Sequence, residues 1–105
     1  MQITTEGNAV IVKVAEDGCA GLWKSLEPHL AGGKKAVVLD FSGVQFINSV
    51  NIAAVIAVRN RAQTAGIAFH AAGLQERVRS IFRVLRLDRL FPLDVDLATA
   101  LAAAR

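Results

Sequence analysis

The sequence predicts an α/β sandwich, a central mixed sheet of four to five strands packed with about four helices. Three observations carry this. Short β-branched or apolar runs alternate with segments of helical periodicity along the chain, which implies parallel strand pairs joined by helices. The first two runs are separated by a turn signal alone, which implies a hairpin and so an antiparallel pair. One run, Lys35 to Phe41 ("KAVVLDF"), is almost wholly apolar, as a central strand covered on both faces reads.

Taken in order, residues 2–5 and 9–14 predict strands, with Gly7-Asn8 as the turn between them. Residues 19–31 predict a helix, because Cys19, Leu22, Trp23, Leu26 and Leu30 share one face. Pro28 lacks a backbone donor and should kink or end that helix, and Gly32-Gly33 stops it. After the strand at 35–41, residues 51–65 predict a second helix with Ile52, Val55 and Ile56 on its apolar stripe, ended by Gly66. "IAFHA", 67–71, predicts a short buried strand. Residues 74–86 predict a third helix, with Leu74, Val78, Ile81, Phe82 and Leu85 facing the core. "LFPLDV" predicts a short edge segment, since Pro92 cannot serve a central ladder. Asp96 is placed to cap a last alanine-rich helix over 97–104.

The 105 residues fit one domain, 1–105. A chain of this size buries ~65% of its unfolded surface, enough for a core without disulfide staples. No apolar run is long enough to span a bilayer. The alternating start does not resemble a signal peptide, and the single cysteine, Cys19, cannot form an internal disulfide, so a cytoplasmic home is expected. Net charge is +3 and the pI about 9.6, mildly basic values that permit an acidic partner without demanding nucleic acid.

Enzyme signatures are absent. The two histidines, His29 and His70, join no Cys/His cluster of metal spacing, and no phosphate-binding or nucleophile-elbow motif occurs. No cofactor is implied. Arg77, Arg79, Arg83, Arg86 and Arg89 cluster against only Glu76 and Asp88, a face that a nucleic acid or an acidic protein partner could use; no nucleic-acid motif accompanies it, and the plainer reading is the solvated face of a helix.

The segment with chemistry to offer is "DFSGVQFINSVNIAAV", residues 40–55. A buried strand ends at Asp40 and, through Ser42, Asn48, Ser49, Val50 and Asn51, turns into a helix. Ligands of α/β sheets gather at the carboxyl ends of strands, and a helix start presents unpaired N–H groups. The plain alternative is that Asn48, Ser49 or Asn51 caps the helix, and Ser42 bonds within its own turn. Capping and recognition are compatible.

"VVLDFSGVQFINSVNIAAVIAV" resembles the signature of STAS domains, the fold of bacterial anti-sigma factor antagonists, with Asp40, Ser42, Val44, Phe46, Ile47 and Ser49 in matching places. Downstream, "GIAFHAAGLQERVRSIFRVLRLDRLFPL" resembles the family's strand, helix and "GLxxLF" close, so the similarity runs from about Lys35 to Val95. The resemblance implies a STAS-type sandwich and a binding module, not an enzyme. It implies a serine-kinase-type anti-sigma factor as partner, docked on the 42–51 loop and second helix, and a phosphorylated loop hydroxyl as the switch. This chain departs from that pattern. The family's Asp-Ser-Ser-Gly stands here as Asn48-Ser49-Val50-Asn51, so the usual phosphoacceptor is Val50, which has no hydroxyl. Phosphoregulation is then absent or moved to Ser49. The alternative is a non-switching scaffold subunit of a stress-signalling or lipid-transport complex. Arg86 stands where the family often has glycine, a change expected to affect the helix end.

Overall fold

The computed structural model describes residues 2–15 and 21–104. Strands β1 (Gln2–Glu6) and β2 (Ala9–Lys13) form the expected hairpin about Gly7-Asn8. They are followed by α1 (Leu22–Leu26), β3 (Ala36–Asp40), α2 (Ser49–Thr64), β4 (Ala68–Ala72), α3 (Glu76–Val84) and α4 (Leu97–Ala104). The sheet order is β1-β2-β3-β4. β1 is antiparallel to β2, and β2, β3 and β4 run parallel, so the sheet is mixed with four strands.

Side-chain alternation divides the interior between the two faces of the sheet. On one face Val10, Val12, Val37 and Leu39 pack with Leu22 and Leu26 of α1, Val55 and Val58 of α2, and Val78 and Phe82 of α3. On the other, Ala9, Ala36, Val38 and Ala72 pack with Ala100 of α4. All five residues of β3 are buried, as its apolar run requires. Asp96 Oδ1 accepts the Thr99 N–H at 2.7 Å and opens α4.

One expectation is met and two are corrected. Pro28 ends the first helix early, as expected: α1 stops at Leu26 and continues as a 3-10 turn, Glu27–Leu30, with Pro28 in its first positions. Cys19, expected on its apolar face, lies outside the described residues. "LFPLDV" forms no strand. Phe91 and Leu93 are buried on either side of exposed Pro92, an alternation that mimics a strand. The segment instead plugs the core, with Phe91 edge-on to Phe69 and Phe82 at centroid distances of 5.2 and 6.1 Å. Leu85 is not in the core but 51% exposed, because α3 stops at Val84 and the chain turns away through Arg86 at φ 62.

Candidate protein-binding corner

β3 delivers Asp40 to the carboxyl edge of the sheet. Its side chain is only 7% exposed, and Oδ1 accepts the Ser42 N–H at 2.9 Å. The Phe41 N–H still extends the ladder to Ala72 O, and the Val44 N–H closes a turn onto Phe41 O, both at 2.9 Å. The loop is then held from the β4–α3 side. Gln75 Nε2 donates to Ser42 O at 2.6 Å. Gly73 approaches so closely that a Cβ there would lie 3.3 Å from Asp40 Oδ1, Ser42 Cβ and Ser42 N, and its φ of +70 is itself unfavourable to a side chain.

The helix start is capped by the first of the three candidate residues. Asn48 has extended backbone angles, and its Oδ1 accepts the Asn51 N–H at 2.8 Å. That makes Ser49 the first residue of α2, two positions earlier than the periodicity suggested. Asn51 is 5% exposed, and its backbone N–H is the donor that closes the cap. The first turn of α2 contains no acidic residue, so no carboxylate within that turn offsets the positive end of its dipole.

What remains outward is partly apolar. Ser42, Asn48 and Ser49 are exposed, and Val50 is 62% exposed. Phe46 is 57% exposed, and the Arg77 guanidinium sits 4.8 Å from its ring centroid. The corner therefore joins two segments, the β3–α2 loop and the first turn of α3. The sequence points to the first, Phe46 included, but not to Gly73, Gln75 and Arg77 as its supports. Their only signal is a glycine directly after a strand.

The other polar candidates lie elsewhere. His29 is exposed. His70 pairs in register with Val38, which places it on the α4 face, and burial holds its pKa below the usual histidine range. Trp23 packs partly buried against the core and helps wall an open groove of about 410 Å³ between α1 and α2, which neither Asp40 nor His70 lines. Among the described residues no group of three or more His, Cys, Asp or Glu gathers as a metal site, and no helix is long and apolar enough to cross a membrane.

A sequence model of the family described as "Mlab, STAS domain" matches residues 1–99. The chain belongs to the STAS family. Solved STAS structures repeat the fold. A component of the stressosome, a signal integration and transduction hub, superposes with a TM-score of 0.83 at 20% identity, covering 98% of this chain and 95% of its own. A variant of RsbS from Moorella thermoacetica gives 0.82 at 18% identity, covering 98% and 92%. A candidate anti-sigma factor antagonist from Thermotoga maritima gives 0.78 at 19% identity, covering 99% and 93%. At these identities the likeness concerns the fold; which surface this STAS domain uses rests on its own residues.

Proposed function

We propose that this STAS domain is a protein-binding module of the anti-sigma factor antagonist type. It takes a serine-kinase-type anti-sigma factor on the 42–51 loop and the start of α2. The observation that carries the reading is Val50. The position the family resemblance gives to the phosphoacceptor is highly exposed and apolar, and Phe46 in the same loop-to-helix stretch is exposed as well. Exposed apolar side chains there are suited to burial against a partner. Asp40 and Asn51 act by fixing the loop, while Ser42, Asn48, Ser49 and Val50 face the partner. Phosphoregulation is absent or carried by Ser49.

The test is a calorimetric titration with the kinase-type anti-sigma factor of the same genome, alongside intact-mass measurement after incubation with ATP. Ser49→Asp and Val50→Asp are each expected to weaken binding at least ~tenfold, or ~1.4 kcal/mol. Unchanged affinity in both variants removes the corner from the interface. A phosphate on Ser49 identifies a displaced switch, and stable binding without phosphate identifies a locked antagonist.

The scaffold reading, a non-switching STAS subunit in a stress-signalling or lipid-transport assembly, is favoured by the missing hydroxyl at residue 50 together with the family description that matches the chain. Absence of any binding to the kinase, with co-purification of transporter or signalling-complex subunits instead, supports that reading over the first.

A further inference from the structure

The net charge of the chain is concentrated on one element. Residues 76–89 hold five arginines against Glu76 and Asp88, so the whole +3 resides there and the remainder is neutral. Asp94 pairs with Arg79 at 3.0 Å and lies 3.9 Å from Arg83. Arg77, Arg86 and Arg89 have no ion pair among the described residues. The same element carries exposed apolar surface. Val84 is 81% exposed, and with Ser80, Ile81 and Leu85 it lines an open notch of about 250 Å³. Arg86, next to Leu85, is the only non-glycine residue at positive φ among those described. A long side chain held in a backbone region that glycine occupies freely, with its guanidinium in no ion pair among the described residues, points to a role outside the chain.

We propose that the Ile81–Val84–Leu85 notch and its arginines form a second docking face that receives an acidic amphipathic helix of a protein partner. An apolar side chain of that helix enters the notch, and the glutamates or aspartates beside it meet Arg86 and Arg89. Concavity favours a protein segment over a lipid surface, because a notch seats a protruding side chain of a folded partner. The face is distinct from the corner: Arg77 and Val84 are two helical turns apart, ~10 Å along α3.

The probe is a fluorescein-labelled peptide of about 16 residues, long enough to fold as a helix on a surface, with leucines at i and i+4 flanked by glutamates. Its counterpart has lysine at every glutamate. Binding is read by anisotropy at low and high salt, and the contact residues by amide NMR shifts on the whole domain. The acidic peptide is expected to bind in a salt-sensitive way and shift residues 80–89, and the lysine peptide not to bind. Val84→Ser should weaken binding about fivefold or more, as loss of a buried valine contact implies. Arg86→Gly should weaken it while leaving the fold intact, and Val50→Asp should leave it unchanged, which separates this face from the corner. Equal binding of both peptides, or shifts confined to other residues, overturns the proposal. Binding to phosphatidylglycerol vesicles tighter than to the peptide, through residues 80–89, makes the occupant a membrane and overturns it. A dimer in sedimentation velocity that Val84→Ser dissolves makes the occupant a second copy and overturns it equally.

Discussion

Replacing Arg86 with glycine is expected to stabilise the domain. Arg86 holds φ 62 and ψ 31, the left-handed region in which an L-side chain costs ~1–2 kcal/mol. Glycine adopts the same angles freely but enlarges the unfolded ensemble, which returns ~0.4–1 kcal/mol. The helix end itself is unaffected, because the Arg86 N–H to Arg83 O bond of 3.0 Å and the Arg89 N–H to Arg86 O bond of 3.2 Å are both main-chain. No ion pair of the guanidinium is lost among the described residues. The net gain is about 0.5–1 kcal/mol, a rise in melting midpoint of roughly 2–8 °C for a domain of this size. Scanning calorimetry and urea unfolding measure it, with Arg86→Ala as the control. Alanine removes the charge and keeps the strained angles, so its stability should stay within about 0.5 kcal/mol of the parent. A glycine variant with an unchanged or lower midpoint refutes the strain argument. An alanine variant that gains as much as glycine shifts the cause from backbone strain to relief of repulsion among the arginines.

Asn48→Ala removes the acceptor of the Asn51 N–H and should cost ~1 kcal/mol in urea unfolding, whereas Asn48→Asp keeps the cap and should cost nothing. Gly73→Ala puts a Cβ 3.3 Å from three atoms of Asp40 and Ser42 at positive φ; it should destabilise by more than ~1 kcal/mol and shift the Ser42 amide resonance. His70 has a folded pKa below the 6.5 of the unfolded chain, through burial. Between the two values the unfolded chain binds more protons, so stability declines as pH falls from 6.5 through the folded pKa and is level above. His70→Leu should remove that part of the slope in urea midpoints taken from about pH 8 to about pH 5; an unaltered slope assigns it to other groups.

Much of the fold was legible because local signals agreed with the tertiary outcome. The alternation of residues 9–13, the Gly7-Asn8 turn and the apolar run of β3 each specify an element without reference to the rest. The failures came where a pattern had a second explanation. Phe91 and Leu93 alternate about Pro92 as a strand would, yet they fill a core already shaped by Phe69 and Phe82, and no ladder forms. Leu85 keeps the helical spacing of α3, but the backbone turns left-handed at the next residue and leaves it outside. At the corner, sequence narrowed the cap to three polar residues, and only geometry selects Asn48. The supports were hidden for a different reason. Gln75 reaches Ser42 across 33 positions, a proximity created by the parallel pairing of β3 and β4 rather than by anything written near either residue.

The composition of the corner makes a displaced switch physically separable from a lost one. Ser49 is the first residue of α2 and Val50 the second, so their side chains leave the helix ~100° apart. A negative group on Ser49 lies at the positive end of the α2 dipole, in a first turn with no acid of its own. It should therefore stabilise the helix by ~0.3–1 kcal/mol while repelling or desolvating badly against a bound partner. Ser49→Asp should raise the melting midpoint and lower partner affinity together, two changes of opposite sign that simple damage to the fold cannot produce. If Ser49→Asp lowers both, the side chain is structural and Ser49 is no switch. If it raises the midpoint and leaves affinity untouched, the helix argument stands and the interface lies elsewhere, with the α3 face next to be tested.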